Sequence, residues 1–167
     1  ITVTVEDGGL DGDLDTTADN GTFSRTFDVI VNSVNDVPTI NAIADVTMDE
    51  DASEQTVNLT GVTAGGGEVQ PMLVSASSSN SSLLGQITVD FTPINTTGTL
   101  KFTPLADQHG VSTITVTVED GGLDNDLATT DDNAVTTRTF EVTVTPVNDD
   151  PTLDPVPENH PSNSWSQ

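Results

Sequence analysis

The sequence predicts an all-β chain built as an immunoglobulin-like Greek-key β-sandwich in tandem repeat. Three observations carry this. Ile1–Ile40 returns as Ile114–Leu153 at an offset of 113 residues, with 27 of 40 positions identical. A period of one small domain implies copies of a whole domain rather than a solenoid of short units. Apolar and polar residues alternate with period two, as in Ile114-Thr115-Val116-Thr117-Val118, which is the pattern of strands with one buried face. No segment sustains helical periodicity, and the abundance of Thr and Val favours strands.

The repeat divides the chain into residues 1–36, the closing strands of a preceding repeat; 37–150, one complete repeat; and 151–167, the start of a following repeat or a tail. Within the complete repeat the candidate strands, in order, are Ile40–Met48, Thr56–Val62, Met72–Ala76, Ile87–Phe91, Thr99–Thr103, Ile114–Val118 and Phe140–Val144. Each is short and bounded by Gly, Pro, Asn, Asp or Ser, as expected for seven strands of a sandwich. The repeat has no Tyr, and the one Trp, Trp165, lies in the tail, so the core must be aliphatic with a few Phe.

Formal charge is 3 − 27 = −24, with Lys101, Arg25 and Arg138 as the only Lys and Arg. Nucleic acid and anionic membrane surfaces are excluded as partners, because both need a basic footprint. No apolar run approaches the roughly 20 residues that span a bilayer, so direct membrane insertion is not expected. There is no Cys, and hence neither a disulfide framework nor a thiolate metal site. His109 and His160 belong to no nucleophile or metal motif, and His109 reads as an exposed loop residue. The chain is not expected to be an enzyme. The sequons at Asn20, Asn58, Asn80 and Asn95 arise readily by chance in a Ser/Thr-rich chain.

The acids are concentrated. Glu119, Asp120, Asp124, Asp126, Asp131 and Asp132 occupy one loop, and Glu6, Asp7, Asp11, Asp13, Asp15 and Asp19 its earlier copy, without a Lys or Arg among them. Such a loop either stays open and solvated or gathers round a hard cation. Gly121 and Gly122 would permit a turn that converges Asp120, Asp124 and Asp126, and likewise Asp7, Asp11 and Asp13 in the first copy. Arg25 and Arg138, beside these loops, are expected to pair with loop carboxylates.

Val34-Asn35-Asp36-Val37-Pro38 and Val147-Asn148-Asp149-Asp150-Pro151 both end a strand before a proline. With the F-x-V-x-V strand before them and the V-x-D-G-G strand end, these segments make the chain resemble the cadherin-like tandem repeats of large bacterial surface adhesins and matrix proteins. The resemblance implies calcium at each joint, held by Glu50 and Asp51 near the first strand, Asp107 before the sixth, Asp120 at that strand's end, and the linker residues Asn148 and Asp149. Asp7, Asn35 and Asp36 are the matching positions of the earlier copy. Two departures stand out: Pro146 and Ser33 replace a linker acid, and Ala64-Gly65-Gly66-Gly67-Glu68 offers one acid where the cadherin pattern has a pair.

The function expected from this is a calcium-rigidified structural spacer of an extracellular or cell-surface bacterial protein, touching neighbouring repeats of its own chain. The alternatives are a carbohydrate- or protein-binding adhesion module and a fibre subunit that self-associates by strand addition.

Overall fold

The computed structural model describes residues 1–15, 18–151 and 153. Every regular element among them is a strand: β1 (Thr2–Glu6), β2 (Thr22–Thr26), β3 (Val46–Asp49), β4 (Gln55–Thr60), β5 (Met72–Ser78), β6 (Thr88–Asp90), β7 (Thr97–Phe102), β8 (Gly110–Asp120) and β9 (Val135–Thr145). The chain forms two compact units that divide between Val34 and Asn35. The reading of 151–167 as a following repeat, with His160 and Trp165, falls almost wholly outside the described residues.

In the second unit, β3-β9-β8-β5 form one sheet and β4-β7-β6 another. β3 runs parallel to β9 and every other pair is antiparallel. The chain changes sheet between β3 and β4, β4 and β5, β5 and β6, and β7 and β8, which makes this an immunoglobulin-like β-sandwich. Alternation supplies its core: Ile114, Val116 and Val118 of β8 and Phe140, Val142 and Val144 of β9 face Leu59, Leu100 and Phe102 of the other sheet, all buried. The core is aliphatic with Phe102 and Phe140, as the composition requires.

One expected strand is divided. Residues 40–48 read as a single strand, yet Thr39 bridges Thr63 and the Asn41 N–H bonds the Thr60 carbonyl at 3.0 Å, whereas Val46–Asp49 pair with Val142–Thr145. The segment crosses from the edge of one sheet to the edge of the other, so its middle residues pair with neither. The β8–β9 hairpin is conversely longer than its apolar run, because the ladder carries on through Thr136 and Thr137 toward the acidic turn and through Val111–Thr113 away from it.

The first unit is the hairpin β1–β2, with Thr2 opposite Thr26 and Glu6 opposite Thr22. Its residues Val3, Val5, Phe27 and Val29 correspond to Val116, Val118, Phe140 and Val142. The former are 51–65% exposed and the latter 0–3%. The same side chains are thus bare in one copy and buried in the other, where a second sheet covers them. Shortening Leu100, fully buried at the centre of the sandwich, to Ala should cost about 2–5 kcal/mol, while Val5→Ala should change stability by no more than about 0.5 kcal/mol. Urea unfolding of the two variants measures both.

Candidate metal centres at the two poles of the sandwich

The strand order places the acidic residues at the two ends of β8. Its eleven residues rise roughly 3.4 Å each, so Gly110 and Asp120 lie about 34 Å apart. One pole is formed around Asp120 and the other around Glu50 and His109.

At the first pole the hairpin turn is built by the acids themselves. Asp120 Oδ1 accepts N–H bonds from Gly122 (3.0 Å) and Ala134 (2.9 Å), Asp124 Oδ1 accepts from Asp126 N, Asp126 Oδ1 from Ala128 N, and Asp132 Oδ2 from Leu123 N. The earlier copy folds alike: Asp7 Oδ1 accepts from Gly9 and Gly21, Asp11 from Asp13, Asp13 from Asp15, and Asp19 from Leu10. Gly122 has a φ of 59°, and a Cβ there would meet the Asp132 carboxylate at 2.5 Å, so glycine is required at this position. These turns correct one expectation. Asp120, Asp124 and Asp126 do not converge, nor do Asp7, Asp11 and Asp13: among the described residues, no three His, Asp or Glu side chains gather on one point. The D-x-D spacing is used instead to satisfy backbone N–H groups two residues on.

Asp120 stands apart from its neighbours because it is fully buried. Above it lies the segment leading into the repeat. Asn35 Nδ2 donates to Asp120 Oδ1 (3.1 Å) and to the Asp132 carbonyl (3.0 Å), while Asn35 Oδ1 accepts from Gln70 Nε2 (2.9 Å). Gln70 Nε2 also donates to Glu68 Oε2 (3.0 Å), which accepts in addition from the Asp36 N–H (3.3 Å). Gly65 and Gly66, at φ 97° and 47°, pass directly beneath Asp36, where a Cβ would collide with its side chain or the Val37 carbonyl. The glycine run therefore exists to admit the linker.

At the opposite pole Glu50 is buried. Its Oε1 accepts from Val147 N at 2.8 Å and its Oε2 lies 3.5 Å from His109 Nδ1. Repulsion from Asp51 first, then loss of hydration, then Asp107 and Glu50, raises the Asp149 carboxyl above the usual aspartate range. Asn148 donates to the Asp149 carbonyl.

Two corrections follow for the set drawn from the cadherin-like resemblance. Asp120 does not join Glu50, Asp107, Asn148 and Asp149. It belongs with Asn35 at the far end of β8, since an antiparallel strand carries its two ends to opposite poles. Arg25 and Arg138 do not pair with loop acids: Arg25 lies 4.7 Å from the Phe23 ring centroid and Arg138 donates to the adjacent Thr137 carbonyl. The contacts between basic and acidic side chains among the described residues are Lys101–Glu54 and His109–Glu50, the second an ion pair only when the imidazole is protonated. Sequence reasoning missed Glu68 and Gln70, which follow a glycine run without motif spacing, and the contact of His109 with Glu50.

No protein family and no curated protein matches the chain. Among solved structures it is similar to domains 4 and 5 of the S-layer protein SbsC (16% identity over 74% of this chain and 58% of that one, TM-score 0.43). It is also similar to domains 1–6 of the same protein (17%, 78% and 15%, 0.44) and to the PapD-like domain 7 of human CEP192 (10%, 74% and 96%, 0.41). The chain thus spans just over half of the first of these S-layer chains and a small part of the second.

Acid titration should separate the two kinds of carboxylate. The Thr129 hydroxyl, then the Asp126 N–H, holds Asp124 below the usual range, and the N–H groups of Gly21 and Gly9 do so for Asp7. Both groups favour the folded chain at pH above the ordinary aspartate range and lose that contribution as pH falls through their lowered values. Asp149 has the opposite sign: its ionised form opposes folding, and the penalty disappears as pH falls through its raised value. Carboxyl NMR should record Asp7 and Asp124 titrating below, and Asp149 above, an unfolded aspartate; the reverse order would contradict the geometry.

Proposed function

We propose that the chain is a calcium-rigidified structural spacer, one complete repeat with parts of its neighbours, in a large extracellular or cell-surface bacterial protein. The observation that carries this reading is the position of the two buried carboxylates. Asp120 at one pole is covered by the linker entering the repeat, and Glu50 at the other is bonded to Val147 in the linker leaving it. Neither is paired with Lys or Arg, in a chain of net charge −24. Burying a carboxylate without a positive partner costs several kcal/mol.

Oxygen-only surroundings are what calcium selects, and extracellular calcium modules bind at about 0.1–1 mM. Asp120 would take the ion at the entering joint, where Asn35 is bonded to it, and Glu50 at the leaving joint. Bound calcium would supply positive charge at both poles. The chain's own part is geometric: the sandwich fixes the poles about 34 Å apart, and each linker is tied to its pole by hydrogen bonds, so that adjoining repeats lose freedom to swing once the acids no longer repel.

The bare face of β1–β2 fits the same reading, as the closing strands of a preceding repeat whose other strands would cover Val3, Val5, Phe27 and Val29. It also favours, as a second reading, strand addition between chains, since an isolated hairpin is marginal in water. The adhesion-module reading finds less support. A cleft of about 350 Å³ beside the first pole is lined by Val62, Ala64, Val69, Gln70, Met72 and Ile94 among others, with no aromatic ring on which a sugar could stack.

Small-angle scattering from a protein of three consecutive repeats tests the proposal. With millimolar calcium it should behave as a rod of fixed maximum dimension; with chelator it should be flexible and more compact on average. Identical profiles in the two conditions would remove the calcium joint.

A further inference from the structure

The two sheets of the sandwich end on β3, β5, β4 and β6, and an open strand edge is a template for pairing with another chain unless something blunts it. Three of these edges are blunted. β3 has only four residues and lies among Asp45, Asp49, Glu50 and Asp51, and β6 has three residues and ends on Asp90. β4 follows Glu54, and its far end is covered where the Asn41 N–H bonds the Thr60 carbonyl at 3.0 Å. β5 differs. Its seven residues, Met72-Leu73-Val74-Ser75-Ala76-Ser77-Ser78, include no charge, no Pro and no Gly, and among the described residues no strand lies on the side away from β8. The open groups can be named. The Ser79 N–H bonds the Thr113 carbonyl (2.9 Å) while the Asp120 N–H bonds the Ala134 carbonyl (3.1 Å), so odd-numbered residues of β8 bond β5 and even-numbered ones bond β9. By the alternation of an antiparallel ladder, Leu73, Ser75 and Ser77 direct their N–H and C=O groups at β8. Those of Val74 and Ala76, with Met72 and Ser78 beyond them, point to the open edge.

We propose that β5 is a self-association edge, on which the β5 of a second copy of this chain lies antiparallel about a two-fold axis at Ser75. This does not rest on the calcium reading. In that register Val74 and Ala76 of one copy exchange backbone bonds with Ala76 and Val74 of the other, and Met72 does so with Ser78. The even-numbered side chains of both copies stay on the core side, so the two four-stranded sheets join into one continuous sheet. Ser75 meets its own counterpart, and Leu73, 51% exposed, lies opposite Ser77 of the second copy. Charge selects this occupant and this edge. A chain of net charge −24 repels its copy, and β5 is the edge that carries no carboxylate. Glu119, opposite Leu73 on β8, would stand three strand spacings, roughly 14 Å, from β8 of the second copy, beyond the screening length of about 8 Å at physiological salt. An uncharged strand offers a basic or an acidic partner nothing to recognise.

The test is sedimentation velocity of the 167-residue chain in chelator, so that calcium bridging plays no part, up to millimolar protein at about 0.05 M and about 0.5 M salt. The parent should form a dimer whose dissociation constant falls at least about tenfold at the higher salt, where the repulsion between copies is screened. Ser75→Asp, which sets two carboxylates opposite each other, should stay monomeric. Thr47→Asp, exposed on the blunted β3 edge, should dimerise as the parent does. Ser75 and its counterpart form a non-hydrogen-bonded pair with Cα atoms about 4.5 Å apart, a separation that a disulfide spans. Since the chain has no Cys of its own, Ser75→Cys should oxidise to a covalent dimer and Thr47→Cys should not. A parent that is monomeric at millimolar concentration, or equal crosslinking of the two Cys variants, would overturn the proposal. So would a Ser75→Asp chain that dimerises as well as the parent, which would move self-association to another surface such as the bare face of β1–β2. None of these results bears on the calcium joint.

Discussion

A buried carboxylate that meets no Lys or Arg governs the architecture of this chain. Asp120 closes β8, accepts the two N–H groups that shape the acidic turn, pairs across to Met72 of β5, and receives the amide of Asn35. Strand end, hairpin turn and the segment at Asn35 therefore meet on one side chain. An interior of aliphatic residues and Phe supplies the cohesion that tolerates such a charge, but it does not neutralise it. The acids of the loop differ in kind: their oxygens are occupied by backbone N–H groups two residues away, so the turn holds its form by local bonding alone.

The sandwich contributes rigidity and distance. Both long strands, β8 and β9, run from pole to pole, and the stretch that repeats with a period of 113 residues covers most of them with the acidic turn between and the segment after β9. The segment at Asn35 and the segment at Val147 are each bonded to a buried acid, Asp120 and Glu50. The hairpin of the first unit illustrates the same economy. Its sequence is nearly that of β8–β9, and its exposure differs only because no second sheet covers it.

Much of this was legible in the sequence. Alternation located the strands, the repeat located the hairpin, and the absence of Tyr and Trp from the repeat anticipated an aliphatic core. The division of residues 40–48 was not legible, because alternation reports which face is buried and is silent on which sheet a residue joins. The acidic loop was misjudged for a related reason: spacing brings Asp120, Asp124 and Asp126 close along the chain, but two of them face their own backbone. Glu68 and Gln70 had no signal of their own. The available clue was Gly65-Gly66-Gly67, whose positive φ values admit the linker over the residues that follow.

Crystals of the chain grown with calcium, with anomalous scattering recorded at a wavelength where calcium contributes, would test the central claim most directly. The account predicts an anomalous peak within coordination distance of the Asp120 and Glu50 carboxylates. Both carboxylates hydrated at millimolar calcium, without an anomalous signal at either, would contradict it.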